Sequence, residues 1–141
     1  MKTVIIDNRI ENLFYEVEQA AGLMHCMRIA AESLEECSSE IWVSEVRSFH
    51  ENLDTVYNLI EALYGKYNQE CAIAEVNFAF RKLAELKDML SLLTSDMPEL
   101  DSEKPLLVHS IHNGYYGIET IVTGAFNRFD DFIRCPIKQA A

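Results

Sequence analysis

Two histidines raise the first chemical question in this chain. His109 and His112 stand three positions apart, a spacing that places both rings on one helix face, where paired imidazoles can hold a metal ion. Metal sites in helical bundles also recruit carboxylates through a Glu-x-x-His pattern. Here Gly22, Arg47 and Leu106 occupy the position three residues before His25, His50 and His109. His109 and His112 also fall in the first turns of their helix, without a carboxylate close by in the sequence. No metal or other cofactor is therefore expected. Nucleophile and phosphate signatures are missing too: the chain has no Gly-x-Ser-x-Gly, no P-loop and no His-Glu-x-x-His. The Gly114-Tyr115-Tyr116-Gly117 cluster lies inside a helical pattern, where such glycines mark packing rather than a phosphate cradle. The sequence reads as a non-enzyme.

Charge is the next feature with chemical content. The 141 residues carry 12 Lys and Arg against 23 Asp and Glu, a formal net charge of −11. A polyanion gains nothing from counterion release on nucleic acid, and the same sign opposes an anionic membrane. Between Glu32 and Asp54 the carboxylates Glu32, Glu35, Glu36, Glu40, Glu45, Glu51 and Asp54 face only Arg47. A second acidic group, Asp96, Glu99, Asp101 and Glu103, occupies a polar linker. Carboxylates three or four apart on a helix lie about 5–6 Å from each other, close to the spacing of phosphates along a strand. The first group is therefore a candidate acidic binding face for a basic nucleic-acid-binding protein, set against the plainer reading of a solvated helix surface.

The four cysteines, Cys26, Cys37, Cys71 and Cys135, contain no Cys-x-x-Cys pair, so neither a zinc knuckle nor a redox motif is supported. The apolar run Val4–Ile6 is too short for a signal-peptide core of roughly 7–15 residues. Reduced, buried thiols in a cytoplasmic protein are the expectation. No apolar run approaches the ~20 residues that span a bilayer.

The elements that would position these groups are legible from periodicity. Ile10, Leu13, Val17, Ala20, Met24, Met27, Ala31 and Leu34 alternate steps of three and four, the seam of a helix packed on other helices. Trp42, Val46, Phe49, Leu53, Val56, Ile60 and Leu63 repeat the rule, as do Ala72, Val76, Ala79, Leu83, Leu86, Leu90 and Leu93. The fourth seam, Val108, Ile111, Tyr115, Ile118, Val122, Ala125, Phe129 and Phe132, follows Pro105, which suits a first helical turn, and ends near Arg134. Asp7 or Asn8 offers a cap for the first helix and Asn68 for the third, while Gly65 stands where a C′ glycine closes the second. Gly117 and Gly124 each cost about 1 kcal/mol in a helix interior, which predicts close approach of a neighbouring backbone.

These patterns predict an all-α fold, four long amphipathic helices in an antiparallel up-down four-helix bundle. The whole chain, 1–141, forms one domain, with residues 1–7 as an N-terminal arm or short edge strand, 94–104 as an acidic linker and 135–141 as a tail. Beside the second seam runs Val43, His50, Tyr57 and Tyr64, one heptad apart. That row either widens the core or forms an apolar interface rich in tyrosine. Phe78 and Leu92 lie away from the third seam, and Phe126 and Ile133 lie beside the fourth. Spare apolar surface of this kind predicts self-association or a docking groove. The functional expectation is protein–protein binding, as adaptor, inhibitor or regulatory subunit. Its alternatives are a nucleic-acid-mimicking inhibitor of phage anti-defence type, and a metal-binding or enzymatic bundle.

Overall fold

The computed structural model describes residues 2–33, 40–97, 105–134 and 139–140. Its helices are α1 (Asn8–Ser33), α2 (Glu40–Tyr64), α3 (Ile73–Ser95) and α4 (Pro105–Arg134), with short strands β1 (Thr3–Ile5), β2 (Glu70–Ala72) and β3 (Gln139–Ala140). α1 packs on α2 and α4, and α3 completes the ring by packing on the same two. The start of α1, the end of α2, the start of α3 and the end of α4 all meet at the sheet. The helices therefore run antiparallel, as an up-down four-helix bundle.

The seams fill the centre. Each described seam residue of α2 and α4 is buried, and Tyr115, Ile118, Ala125 and Phe129 are fully so. In α1 the exception is Met27, half-buried, and Leu34 lies outside the described residues. Polar atoms tie the helices where the packing leaves them inside. Trp42 Nε1–H donates to the Leu93 carbonyl at 3.3 Å, and the Tyr115 hydroxyl to the Met27 carbonyl at 3.1 Å. Thr94, buried in the last turn of α3, donates to Glu119 Oε2 at 2.7 Å. Phe80 stacks on Phe126 at 5.2 Å, joining α3 to α4.

Helix α1 begins as its sequence requires. Asp7 Oδ1 accepts the Arg9 backbone N–H at 2.9 Å, satisfying one orphan donor of the first turn. The Arg9 guanidinium sits 4.7 Å over the Phe132 ring, fastening the start of α1 to the end of α4.

Three local expectations change. Residues 3–5 form the middle strand of a three-stranded antiparallel sheet, in the order β2-β1-β3, rather than an arm or an edge. Thr3 pairs with Ala72 on one side and Ala140 on the other. Asn68 does not cap α3. It takes a left-handed φ of 63° in the preceding turn, which asparagine tolerates better than most residues, and donates its N–H to the Ile6 carbonyl at 2.8 Å. α3 starts five residues later, after Ala72, which makes no side-chain cap. The Lys2 carbonyl accepts the Ile73 N–H at 3.1 Å instead, so the strand does the work of a capping side chain. The linker also begins later than its polarity suggests, because α3 runs through Thr94 and Ser95; residues 98–104 lie outside the described residues.

Gly65 directly follows α2 but does not adopt the left-handed conformation. The helical glycines differ from expectation as well. No neighbouring backbone approaches Gly117, where a Cβ would meet open space. At Gly124 the nearest neighbour is a carboxylate, with Glu16 Oε2 3.6 Å from where a Cβ would lie. The tight contact is at Gly114, whose missing Cβ makes room for the Met27 thioether. Gly117→Ala should therefore stabilise the protein by about 1 kcal/mol through helix propensity. Gly114→Ala should forfeit that gain, because Met27 must swing out of the space. Paired urea titrations give the comparison, and equal shifts would contradict it.

Candidate functional site

Of the seven carboxylates read from the sequence, the five in the described residues have different surroundings. Glu32 is neutralised in place: its Oε1 accepts from Arg28 Nε at 3.1 Å and Arg47 Nε at 2.9 Å. Asp54 leans towards His50, with Oδ2 3.7 Å from Nε2. Glu40 and Glu51 are exposed on α2, Glu45 lies in the crease between α2 and α3, and Glu35 and Glu36 lie outside the described residues. The Arg47 hydrogen bond, followed by that of Arg28, holds the Glu32 carboxyl below its ordinary value of 4.5. Because the folded-state value is the lower one, this ion pair contributes stability above the ordinary carboxylate range and loses it as pH falls through the folded value. The melting-temperature gap between wild type and Glu32→Gln should be widest near neutrality and should close on acidification.

Arg28 also governs His50. Its Nη1 lies 3.0 Å from His50 Nδ1. A guanidinium has only donors, so Nδ1 accepts and the ring proton of neutral His50 sits on Nε2, towards Asp54. The His25 ring is 5.7 Å away, close enough for two imidazoles to share an ion. A metal-bound histidine, however, presents a lone pair to the ion and an N–H to an acceptor behind it. Arg28 imposes the reverse arrangement. Among the described residues no three His, Cys, Asp or Glu side chains converge as a metal site would require. His109 is exposed; His112 is half-buried, and its Nε2 is buried without a hydrogen-bond partner.

The heptad row Val43, His50, Tyr57 and Tyr64 lies against α1. Val43 is fully buried and His50 nearly so. Tyr57 stacks on Phe14 at 5.5 Å, and Tyr64 lies 5.0 Å from the same ring. Their hydroxyls reach Glu18 and Glu11 on α1 at 3.3 and 3.4 Å. Burial, then the Glu61 hydrogen bond, pushes the Tyr57 phenol up to about 12. A hydrogen bond with Tyr15, then burial, does the same for Tyr64. Both therefore remain donors near neutrality. The row widens the core and zips α1 to α2.

The cysteines divide by burial. Cys26 is exposed. Cys71 is buried at the sheet, and burial, followed by its hydrogen bond to Glu75, lifts its thiol to about 11, too high for ready thiolate chemistry. Cys37 and Cys135 lie outside the described residues.

A surface not assembled by the sequence reading runs between α2 and α3. At one end a hollow of about 200 Å³ is lined by Glu45, Ser48, Phe49, Met89, Leu92, Leu93 and Asp96. At the other, Leu59, Ala62, Leu63, Ala74, Glu75, Phe78 and Ala79 enclose about 340 Å³. Leu92 is 64% exposed and Phe78 43%, so each hollow has a large apolar side chain at its lip. Phe78 and Leu92 were visible in the sequence as residues off the seam. The partners they face on α2 were not.

No family model, curated protein or solved structure matches this chain. Surface chemistry is therefore what speaks to its function. Among the described residues, no helix is long and apolar enough to cross a membrane.

Proposed function

We propose that this chain is a non-enzymatic, acidic helical protein of the cytoplasm that works by binding another protein, as an adaptor, inhibitor or regulatory subunit. The observation that carries this reading is the pair of open apolar hollows on one helix pair, each lipped by a large exposed side chain. Exposed apolar groups gathered in a crease are where protein partners bury surface, whereas singly scattered ones need no explanation.

A nucleic-acid mimic needs a row of unpaired carboxylates. Glu32 is bridged by two arginines and Glu45 is turned into the α2–α3 crease, so charge alone supports that alternative.

The test is affinity capture from host lysate with wild type and with Phe78→Glu/Leu92→Glu, washed at low and at high salt. Both positions are exposed, so the double variant should keep the wild-type helicity. A defined partner retained by wild type through the salt wash and lost by the variant is the expected result. A partner released by added DNA, no partner retained by wild type, or a substrate turned over by the purified protein would overturn the proposal; a partner held equally by wild type and variant would move the interface off this crease.

A further inference from the structure

We infer that the α2–α3 crease receives a basic amphipathic helix, with a long cationic side chain in the hollow beneath Glu45 and Asp96 and an apolar one beside Phe78. This rests on the protein-binding reading and specifies the occupant.

The first hollow has an apolar floor, with Phe49 and Leu93 almost fully buried, and apolar walls from Met89 and Leu92. Glu45 and Asp96 close its polar side. Among the described residues, no cation is paired with either carboxylate. Partial burial, followed by the charge of Asp96, raises the Glu45 carboxyl above its ordinary value, as a neighbouring like charge does. A ligand with an aliphatic stem and a cationic head satisfies both halves of the hollow. Arginine and lysine have that construction.

The second hollow differs in character. Its one carboxylate, Glu75, is already held by Lys66 at 2.7 Å and by the Cys71 thiol. What remains is the apolar surface of Leu59, Ala62, Leu63, Ala74 and Ala79, with Phe78 at its edge, where Arg81 and Lys82 lie 5.9 and 5.6 Å from the ring centroid; it suits a leucine or an aromatic ring.

The spacing of the hollows selects a helix. Phe49 and Leu63 on α2 stand fourteen positions apart, and so do Phe78 and Leu92 on α3. At 1.5 Å rise per residue, that separation is about 21 Å. A partner helix lying along the crease meets both hollows with side chains two heptads apart. Between these positions on α2, Asn52 and Thr55 bond back to the carbonyls of Ser48 and Glu51 on their own helix. Lys82 and Glu85 pair with each other on the facing helix. A second copy of this chain is disfavoured as occupant by its net charge of −11, which attracts and steers a basic partner instead.

The probes are two stapled helical peptides of roughly 18 residues, each with one arginine and one leucine two heptads apart. They place the pair in opposite order, so that either chain direction is covered. Titrated into the isotope-labelled protein, one of them should shift the amides of Ser48, Phe49, Leu59, Phe78, Met89 and Leu92. Glu45→Gln with Asp96→Asn should weaken binding about tenfold, as should norleucine in place of the peptide arginine. No shift along the crease with either peptide, or unchanged binding after the carboxylates are neutralised, overturns the inference. In the lysate experiment, a partner lost by Phe78→Glu/Leu92→Glu but kept by Glu45→Gln/Asp96→Asn preserves the protein-binding reading and removes this one. A partner kept by both variants removes this inference and moves protein binding off the crease, whereas no partner captured by wild type removes both.

Discussion

Tyr115→Ala is expected to destabilise the protein by about 3–5 kcal/mol, the range for truncating a large aromatic in a core that cannot collapse around the gap. The ring is completely buried. Its edge meets Trp42 of α2 at 5.5 Å, and its hydroxyl donates to the Met27 carbonyl of α1 at 3.1 Å. One side chain of α4 thus touches two other helices by two kinds of contact. Burial, with the Glu32 charge second, raises the phenol well above its ordinary value, which keeps the hydroxyl a donor. Tyr115→Phe separates the contributions. It keeps the ring and removes only the hydrogen bond, at a cost of about 1 kcal/mol. Urea midpoints with an unchanged slope are the measurement. Equal losses for the two variants would mean that the hydroxyl, rather than the ring, holds this part of the core.

Deletion of residues 1–6 should be comparably severe. It removes Val4 and Ile6, which are 3% and 0% exposed, at about 1.5–3 kcal/mol for each buried side chain and so about 3–6 kcal/mol together. It also takes away the Lys2 carbonyl that receives the first N–H of α3 and the strand that both β2 and β3 pair with. A domain with total stability of about 5–15 kcal/mol would be left marginal. Replacing exposed Lys2 by Ala is the control, since it keeps the backbone carbonyl and should melt like wild type. Calorimetry of the two variants decides whether this segment is part of the fold. A deletion variant that melts with the parent would make the strand an ornament.

The seams were legible because they repeat. Seven or eight apolar residues at helical spacing leave few other structures available, and Val46, Leu83 and Ile118 are buried where that period places them. The sheet was not legible, because its strands are two or three residues long and too short for alternation to declare itself. Asn68 looked like a cap because asparagine favours both caps and left-handed turns, and only the pairing of Ile6 with Tyr67 decides between them. The glycines misled for a different reason. A missing Cβ says that something needs space, but not whether it is a backbone, a thioether or open solvent. The α2–α3 crease joins Leu59 and Phe49 to Phe78 and Met89, residues brought together only by the packing of two helices. Sequence order can place each on a face. It cannot put the two faces side by side.

The pairing of Thr3 with Ala140 has a consequence for how the chain can be cut and rejoined. The backbone at residues 3 and 140 lies in neighbouring strands of one sheet, so a short hairpin can bridge them without disturbing the pairs on either side. A circular permutant made in this way, reopened between α1 and α2 at residues 34–39, keeps every described strand pair and helix contact. What changes is the order of synthesis. The strand β1, which precedes α1 in the present order, would be made after α4, with the end of that helix already waiting for it.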